Sequence, residues 1–192
     1  MLNIIICGGP GSGKGTQSDL IIEKYALAHF STGDLLRNEI ASGSELGKEI
    51  DSYISVGNLI PDQMMVNLLV KEINLLPADC RGFILDGFPR TLGQAQALKE
   101  KIEENGKRID LFLDLYVPQA QLIERLLNRG KTSGRSDDNL ETIKTRLDVY
   151  EKKTAHVGEF YKKQDKYFQI DGIGTIEEIF GRICNVLDKH IK

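Results

Sequence analysis

Short, continuously apolar runs alternate along the chain with longer stretches in which apolar residues recur every three or four positions. The runs fall at 3–7, 28–30, 82–86, 110–117 and 166–170, with cores such as Ile4-Ile5-Ile6, His29-Phe30 and Phe83-Ile84-Leu85. Apolar runs alternating with helical periodicity predict an α/β protein whose five-stranded parallel sheet is covered by helices on both faces. The clearest helical stripe occupies 143, 147, 150, 154, 157 and 161 and predicts one long helix. Ser136-Asp137-Asp138 ahead of it would place acids in its first turn, where the helix dipole favours them. A last helix over 175–190 opens on Thr175 with Glu178 three residues on, the spacing of a capping box. Two segments interrupt the alternation. Residues 31–60 hold two helical pieces bounded by Gly33, Gly43 and Gly57, and residues 129–137 form a polar, glycine-bearing loop. Glycine-flanked inserts of this kind are lid candidates.

The strongest chemical signal lies between the first apolar run and the first amphipathic stretch. Gly8-Gly9-Pro10-Gly11-Ser12-Gly13-Lys14-Gly15-Thr16 reads as strand, glycine-rich loop and helix. Glycines let successive backbone N–H groups point into one concavity, and the following helix N-terminus adds its own free donors. Lys14 supplies a mobile positive charge for a polyphosphate. The spacing from Gly8 to Gly13-Lys14 fits a phosphate-binding loop with one departure: Gly15 stands where a hydroxyl is expected, and Thr16 follows one position late. A plain glycine turn into a helix would need neither the lysine nor this spacing.

Composition narrows the class. The chain has 192 residues, 41% hydrophobic and 28% charged, with a net charge of −3. That is enough for one sizeable core, and the charge lacks the basic footprint of a nucleic-acid binder. No apolar stretch approaches membrane-spanning length and no charged region precedes a signal-type core, so a cytoplasmic protein with no membrane partner is expected. Cys7, Cys80 and Cys184 are widely spaced in apolar surroundings and are expected to be buried thiols. His29, His156 and His190 lack ligand spacing and are assigned to packing or the surface.

The cations divide by type. Lysines 99, 101, 152, 153, 162 and 163 fall on polar helix faces, whereas Arg37, Arg90, Arg125, Arg129, Arg135 and Arg146 fall at element ends, in loops or beside a candidate lid. The planar guanidinium grips phosphate bidentately, so this concentration in an acidic protein predicts a cationic pocket. Phe83-Ile84-Leu85-Asp86 is an apolar strand ending in an acid; Asp86 either positions a magnesium ion through water or caps the next turn. Gly87-Phe88-Pro89-Arg90-Thr91 follows at once, presenting an arginine at the carboxyl edge where open α/β sheets bind ligands.

With these residues in view, nearly the whole chain resembles the adenylate kinases of the short-lid type, within the nucleoside monophosphate kinases. Gly8 to Thr16 resembles their phosphate loop, including the Gly-Thr ending, and Ser31 to Arg37 resembles the segment that binds the acceptor monophosphate. Gly57-Asn58-Leu59-Ile60-Pro61-Asp62 looks like the stretch that contacts the acceptor base, and Asp86 to Thr91 with Gln94-Ala95 is similar to the family signature. Arg125, Arg129, Gly134-Arg135, Asp137-Asp138 and Arg146 match lid and hinge positions, and Asp171-Gly172-Ile173-Gly174 resembles the turn that meets the donor adenine.

The resemblance implies a phosphate-loop NTPase fold with a monophosphate-binding insert at 31–60 and a short lid at 129–139. It implies magnesium-dependent, reversible transfer from ATP to AMP giving two ADP, by a single domain over 1–192 acting as a monomer. ATP would be held by Gly11, Ser12, Gly13, Lys14, Gly15, Thr16, Arg125 and Gly174. AMP would be held by Thr32, Arg37, Asn58, Leu59, Ile60, Gly87, Phe88, Pro89, Arg90, Gln94, Arg135 and Arg146. Lys14, Arg90, Arg125, Arg135 and Arg146 would serve the transfer itself, and Asp86 the magnesium. The lid loop carries no cysteine, so no structural zinc is expected. An AMP phosphate has a second pKa of about 6 and needs no general base, only charge neutralisation and alignment. Three rivals stand beside this reading: a UMP/CMP kinase, a kinase of an alcohol with Asp34 or Asp86 as base, and a non-catalytic nucleotide sensor.

Overall fold

A computed structural model describes residues 1–133 and 137–190, with backbone alone at 132 and 133. The five strands are β1 (Leu2–Gly8), β2 (Ala28–Ser31), β3 (Gly82–Asp86), β4 (Leu111–Tyr116) and β5 (Tyr167–Asp171). They form one parallel sheet in the order β2-β3-β1-β4-β5. Each expected strand lies within a residue of its observed bounds. Side-chain alternation explains why helices cover both faces. Ile5 and Cys7 of β1, Phe83 and Leu85 of β3, and Phe112 of β4 enter one cluster; Ile4, Ile6, Ile84, Leu111, Leu113 and Leu115 enter the other. The first face is covered by α4 (Asp62–Asn74), α5 (Leu92–Glu104) and α8 (Val157–Lys162), the second by α1 (Lys14–Tyr25) and α9 (Ile176–Leu187).

Chain order sets where a ligand can bind. From β1 the chain passes through α1 to β2 on one side of β1, while β4 lies on the other side. The carboxyl end of β1 is therefore the point at which the winding reverses, and crevices in open α/β sheets form there. The expected insert is a helical pair, α2 (Thr32–Ala41) and α3 (Glu45–Ile54), separated and followed by Gly43 and Gly57, both at positive φ. Gly33 is not a boundary. It sits in the first turn of α2, whose N-cap Ser31 accepts from the Asp34 N–H at 3.2 Å.

The expected long helix is divided. α6 (Gln119–Ser133) and α7 (Leu140–Val149) are followed by a π-helical turn, Tyr150–Thr154, before α8. Ile143, Leu147, Thr154, Val157 and Tyr161 are all buried, so the stripe survives the change of winding. The wide turn closes through the Ala155 N–H to the Tyr150 carbonyl at 2.9 Å, and the Thr154 hydroxyl donates to the Arg90 carbonyl at 3.0 Å. Such wide turns recur at functional sites. The expected start of that helix also moves. Asn139 is the N-cap, accepting from the Thr142 N–H at 3.0 Å, so Asp137 and Asp138 precede the helix. Ser136 lies outside the described residues.

The capping box of α9 is present: the Glu178 N–H reaches Thr175 Oγ1 at 3.2 Å, and the Thr175 N–H reaches Glu178 Oε2 at 2.8 Å. Replacing Thr175 with Ala is expected to lower stability by about 1 kcal/mol, read from urea unfolding, with phosphoryl transfer preserved. No loss of stability would show that the exposed cap does not hold the helix. Cys7 and Cys184 are buried as expected, whereas Cys80 is half-buried in the turn before β3.

Candidate active site

The phosphate loop owes its shape to close packing beneath and open backbone above. Gly11 and Gly13 have φ of +84° and +97°, a region that side chains rarely adopt. A Cβ at Gly11 would also stand 2.8 Å from Leu126 Cγ, so the loop rests directly on α6. Lys14 Nζ folds back over the loop, donating to the Gly8 carbonyl at 2.8 Å and the Gly9 carbonyl at 3.0 Å. Burial pushes its pKa down, partly offset by the Asp86 carboxylate.

Asp86 ends β3 beside Ile6 of β1 and Ser31 of β2. It is buried, and burial raises its pKa against the lowering influence of Lys14, His29 and Arg90. Its Oδ2 lies 4.0 Å from His29 Nε2, so His29 faces the site rather than filling the core or the surface. A Cβ at Gly15 would be 3.9 Å from the same oxygen. The position where a hydroxyl was expected thus opens toward Asp86. Among the described residues no hydrogen bond reaches this carboxylate, and hard oxygens without hydrogen-bond donors suit a magnesium ion that keeps its waters.

These groups line a cleft of about 520 Å³ that takes in Gly11, Gly13, Lys14, Gly15, Thr16, Pro89 and Asp86. Arg37, Arg90, Arg125, Arg129 and Arg146 line the same cleft. A narrower pocket of about 70 Å³ adjoins it, walled by Thr32, Asn58, Leu59, Ile60, Phe88 and Gln94. Gly33, Arg37, Gly87, Arg90 and Arg146 border both, so the two are continuous.

The arginines are held in two ways. Arg37 pairs with Asp34, Arg129 grips Asp138 through two bonds of 2.7 Å, and Arg146 reaches Asp137 at 2.7 Å and Asp138 at 3.1 Å. Arg125 instead donates to the carbonyls of Ser12 at 3.4 Å and Gly172 at 3.2 Å. Arg90 donates through Nε to the Gly87 carbonyl at 2.6 Å. Among the described residues neither Lys14 nor Arg90 has a carboxylate within ion-pair distance. Burial, and then Arg146, holds the Arg90 pKa below its ordinary value.

Several expected residues also hold the fold together or stand apart from the cleft wall. The Thr32 hydroxyl donates to the carbonyls of Asp86 and Gly87 at 3.2 and 3.1 Å, tying α2 to the end of β3. Gly174 sits in the turn after β5 and does not line the cleft, although Gly172 of that turn anchors Arg125. Ser12 is buried, and its carbonyl serves Arg125. Arg135 and Gly134 lie outside the described residues. Sequence reasoning missed Tyr150 and Thr154, which line the cleft through the π-helical turn, and His29. The neighbouring strand registers of β2 and β3 held the only signal for His29.

A phosphate loop at the reversal point of a parallel sheet, opening on a wall of arginines, defines a nucleotide-binding kinase, a transferase. Comparison with known proteins narrows this further. A family model described as Adenylate kinase matches residues 6–166. An adenylate kinase from Bacteroides thetaiotaomicron is 52% identical over 189 residues, covering 98% of this chain and 100% of the relative. One from Bacteroides fragilis is 54% identical over 188 residues, with 98% and 99% covered. One from Porphyromonas gingivalis is 50% identical over 192 residues, with 100% and 98% covered. The chain belongs to the adenylate kinase family. Among the described residues no helix is long and apolar enough to cross a membrane, and there is no group of three or more His, Cys, Asp or Glu able to hold a metal ion.

Proposed function

We propose that this enzyme moves the terminal phosphoryl group of ATP to AMP, reversibly, giving two ADP, with magnesium bound to the donor. The observation that carries the reading is the pair Lys14 and Arg90: two cations lining one cleft, bonded to carbonyls and with no carboxylate within ion-pair distance among the described residues. A nucleotide polyphosphate and a monophosphate supply the missing negative charge.

Lys14 and the loop N–H groups hold the donor β- and γ-phosphates, while Arg37 and Arg90 hold the acceptor phosphate. Arg125 and Arg146 gather round the transferring group, and Arg135, outside the described residues, is assigned the same role. The carboxylates on Arg37 and Arg146 keep those side chains extended into the cleft, so phosphate replaces an existing partner rather than ordering a free chain. The acceptor base enters the pocket formed by Thr32, Asn58, Leu59, Ile60, Gly87, Phe88 and Gln94. Asp86 would hold magnesium through water, and the bound ion would neutralise donor charge. No general base is required, because an AMP phosphate is already largely ionised near neutrality.

Residues 31–60 and 129–139 serve as the two covers that exclude water. Ion pairs from Asp137 and Asp138 to α7 and α6 anchor the carboxyl end of the second cover. The reading takes the protein as a cytoplasmic monomer whose partners are ATP, AMP and ADP, without nucleic acid or membrane; a net charge of −3 lacks the basic footprint of a nucleic-acid binder. The test compares turnover on AMP, CMP and UMP with ATP and magnesium. AMP is expected to be preferred, and chelating the magnesium is expected to suppress turnover. A preference for CMP or UMP would instead make this a pyrimidine monophosphate kinase.

A further inference from the structure

One side chain in the acceptor pocket has its orientation determined by its neighbours. Gln94 is 2% exposed. Its Oε1 accepts from the Arg90 backbone N–H at 2.7 Å, and its Nε2 donates to Asp62 Oδ1 at 2.9 Å. A backbone N–H can only donate and a carboxylate can only accept, so both partners select the same one of two amide orientations. Turning the amide over would set N–H against N–H and oxygen against carboxylate.

Asp62 is itself held in place. It opens α4, and the Thr91 hydroxyl donates to its Oδ2 at 2.8 Å while Thr91 Oγ1 caps α5 by accepting from the Gln94 N–H at 3.1 Å. Gly93 makes room for it: a Cβ there would stand 2.9 Å from Asp62 Oδ2. The carboxylate reaches Gln94 because no side chain occupies that point.

With both bonds made, the amide retains one N–H and one oxygen lone pair, in fixed order. A 6-aminopurine offers an amino donor at the position where a 6-oxopurine offers an oxygen acceptor. An amide free to turn over could serve either base. We propose that Asp62 is a specificity-determining positioning residue, which pins the Gln94 amide so that the acceptor site takes 6-aminopurine monophosphates and rejects 6-oxopurine ones. This inference rests on the reading of that pocket as the monophosphate site.

The test measures kcat/KM for AMP and for inosine monophosphate, with ATP and magnesium, in the wild type, Asp62→Asn and Gly93→Ala. Asparagine keeps the shape of Asp62 but can donate as well as accept, so only the Arg90 N–H still favours one orientation. Alanine at 93 displaces the carboxylate while leaving Asp62 present. Both variants are expected to lower the AMP-to-IMP ratio at least about tenfold, mainly through KM for IMP. A merely structural loss would lower both acceptors together, and a ratio unchanged in both variants overturns the proposal. So does a wild type that uses AMP and IMP equally well. A wild type that uses no purine monophosphate overturns the pocket reading itself. Should Asp62→Asn fail to fold, Gly93→Ala decides alone.

Discussion

Lys14→Ala is expected to slow phosphoryl transfer by about a thousandfold while the protein remains folded. The ammonium lies over the phosphate loop, donating to two of its carbonyls, with no carboxylate partner among the described residues. Its removal takes the nearest mobile positive charge from the donor phosphates as charge moves between them. The fold is expected to survive, because the substitution removes two hydrogen bonds, worth about 1 kcal/mol each, and no ion pair among the described residues. Steady-state assays with a parallel thermal melt check this. A variant that keeps more than a tenth of the wild-type rate would remove Lys14 from the mechanism.

Asp138→Ala is expected to cost about 3 kcal/mol of stability, toward the lower end for breaking a buried ion pair because Arg129 is partly exposed. The Asp138 side chain is fully buried, and its carboxylate joins Arg129 to Arg146. Without it Arg146 keeps Asp137 at 2.7 Å but loses a carboxylate that raises its pKa, which burial and then Arg129 hold down. Urea unfolding gives the stability change, and turnover should fall as well because Arg146 loses a support. A loss below about 0.5 kcal/mol would mean that the clasp on α6 and α7 is not structural.

Features set by local chemistry were legible in the chain. The phosphate loop, the strand ends at Gly8 and Asp86, and the Thr175–Glu178 box each depend on residues within a few positions of one another. The division of the helix after Val149 was hidden because an added residue in one turn leaves an apolar stripe of mixed three- and four-residue steps intact. Asp137 and Asp138 look like first-turn acids in sequence, yet their partners are Arg129 and Arg146, on two different helices. The Asp62–Gln94 contact spans 32 residues and depends on how α4 packs on α5. Such pairings follow from tertiary placement, which no local pattern encodes.

The central claim is that one cleft gathers two nucleotides with their phosphates end to end. Calorimetric titration with a dinucleotide that joins two adenosines through a polyphosphate tests it most directly, paired with inhibition kinetics. The expected result is one molecule bound per chain, competing with both ATP and AMP. A compound that displaces ATP but leaves AMP binding intact, or that binds twice per chain, would contradict the account.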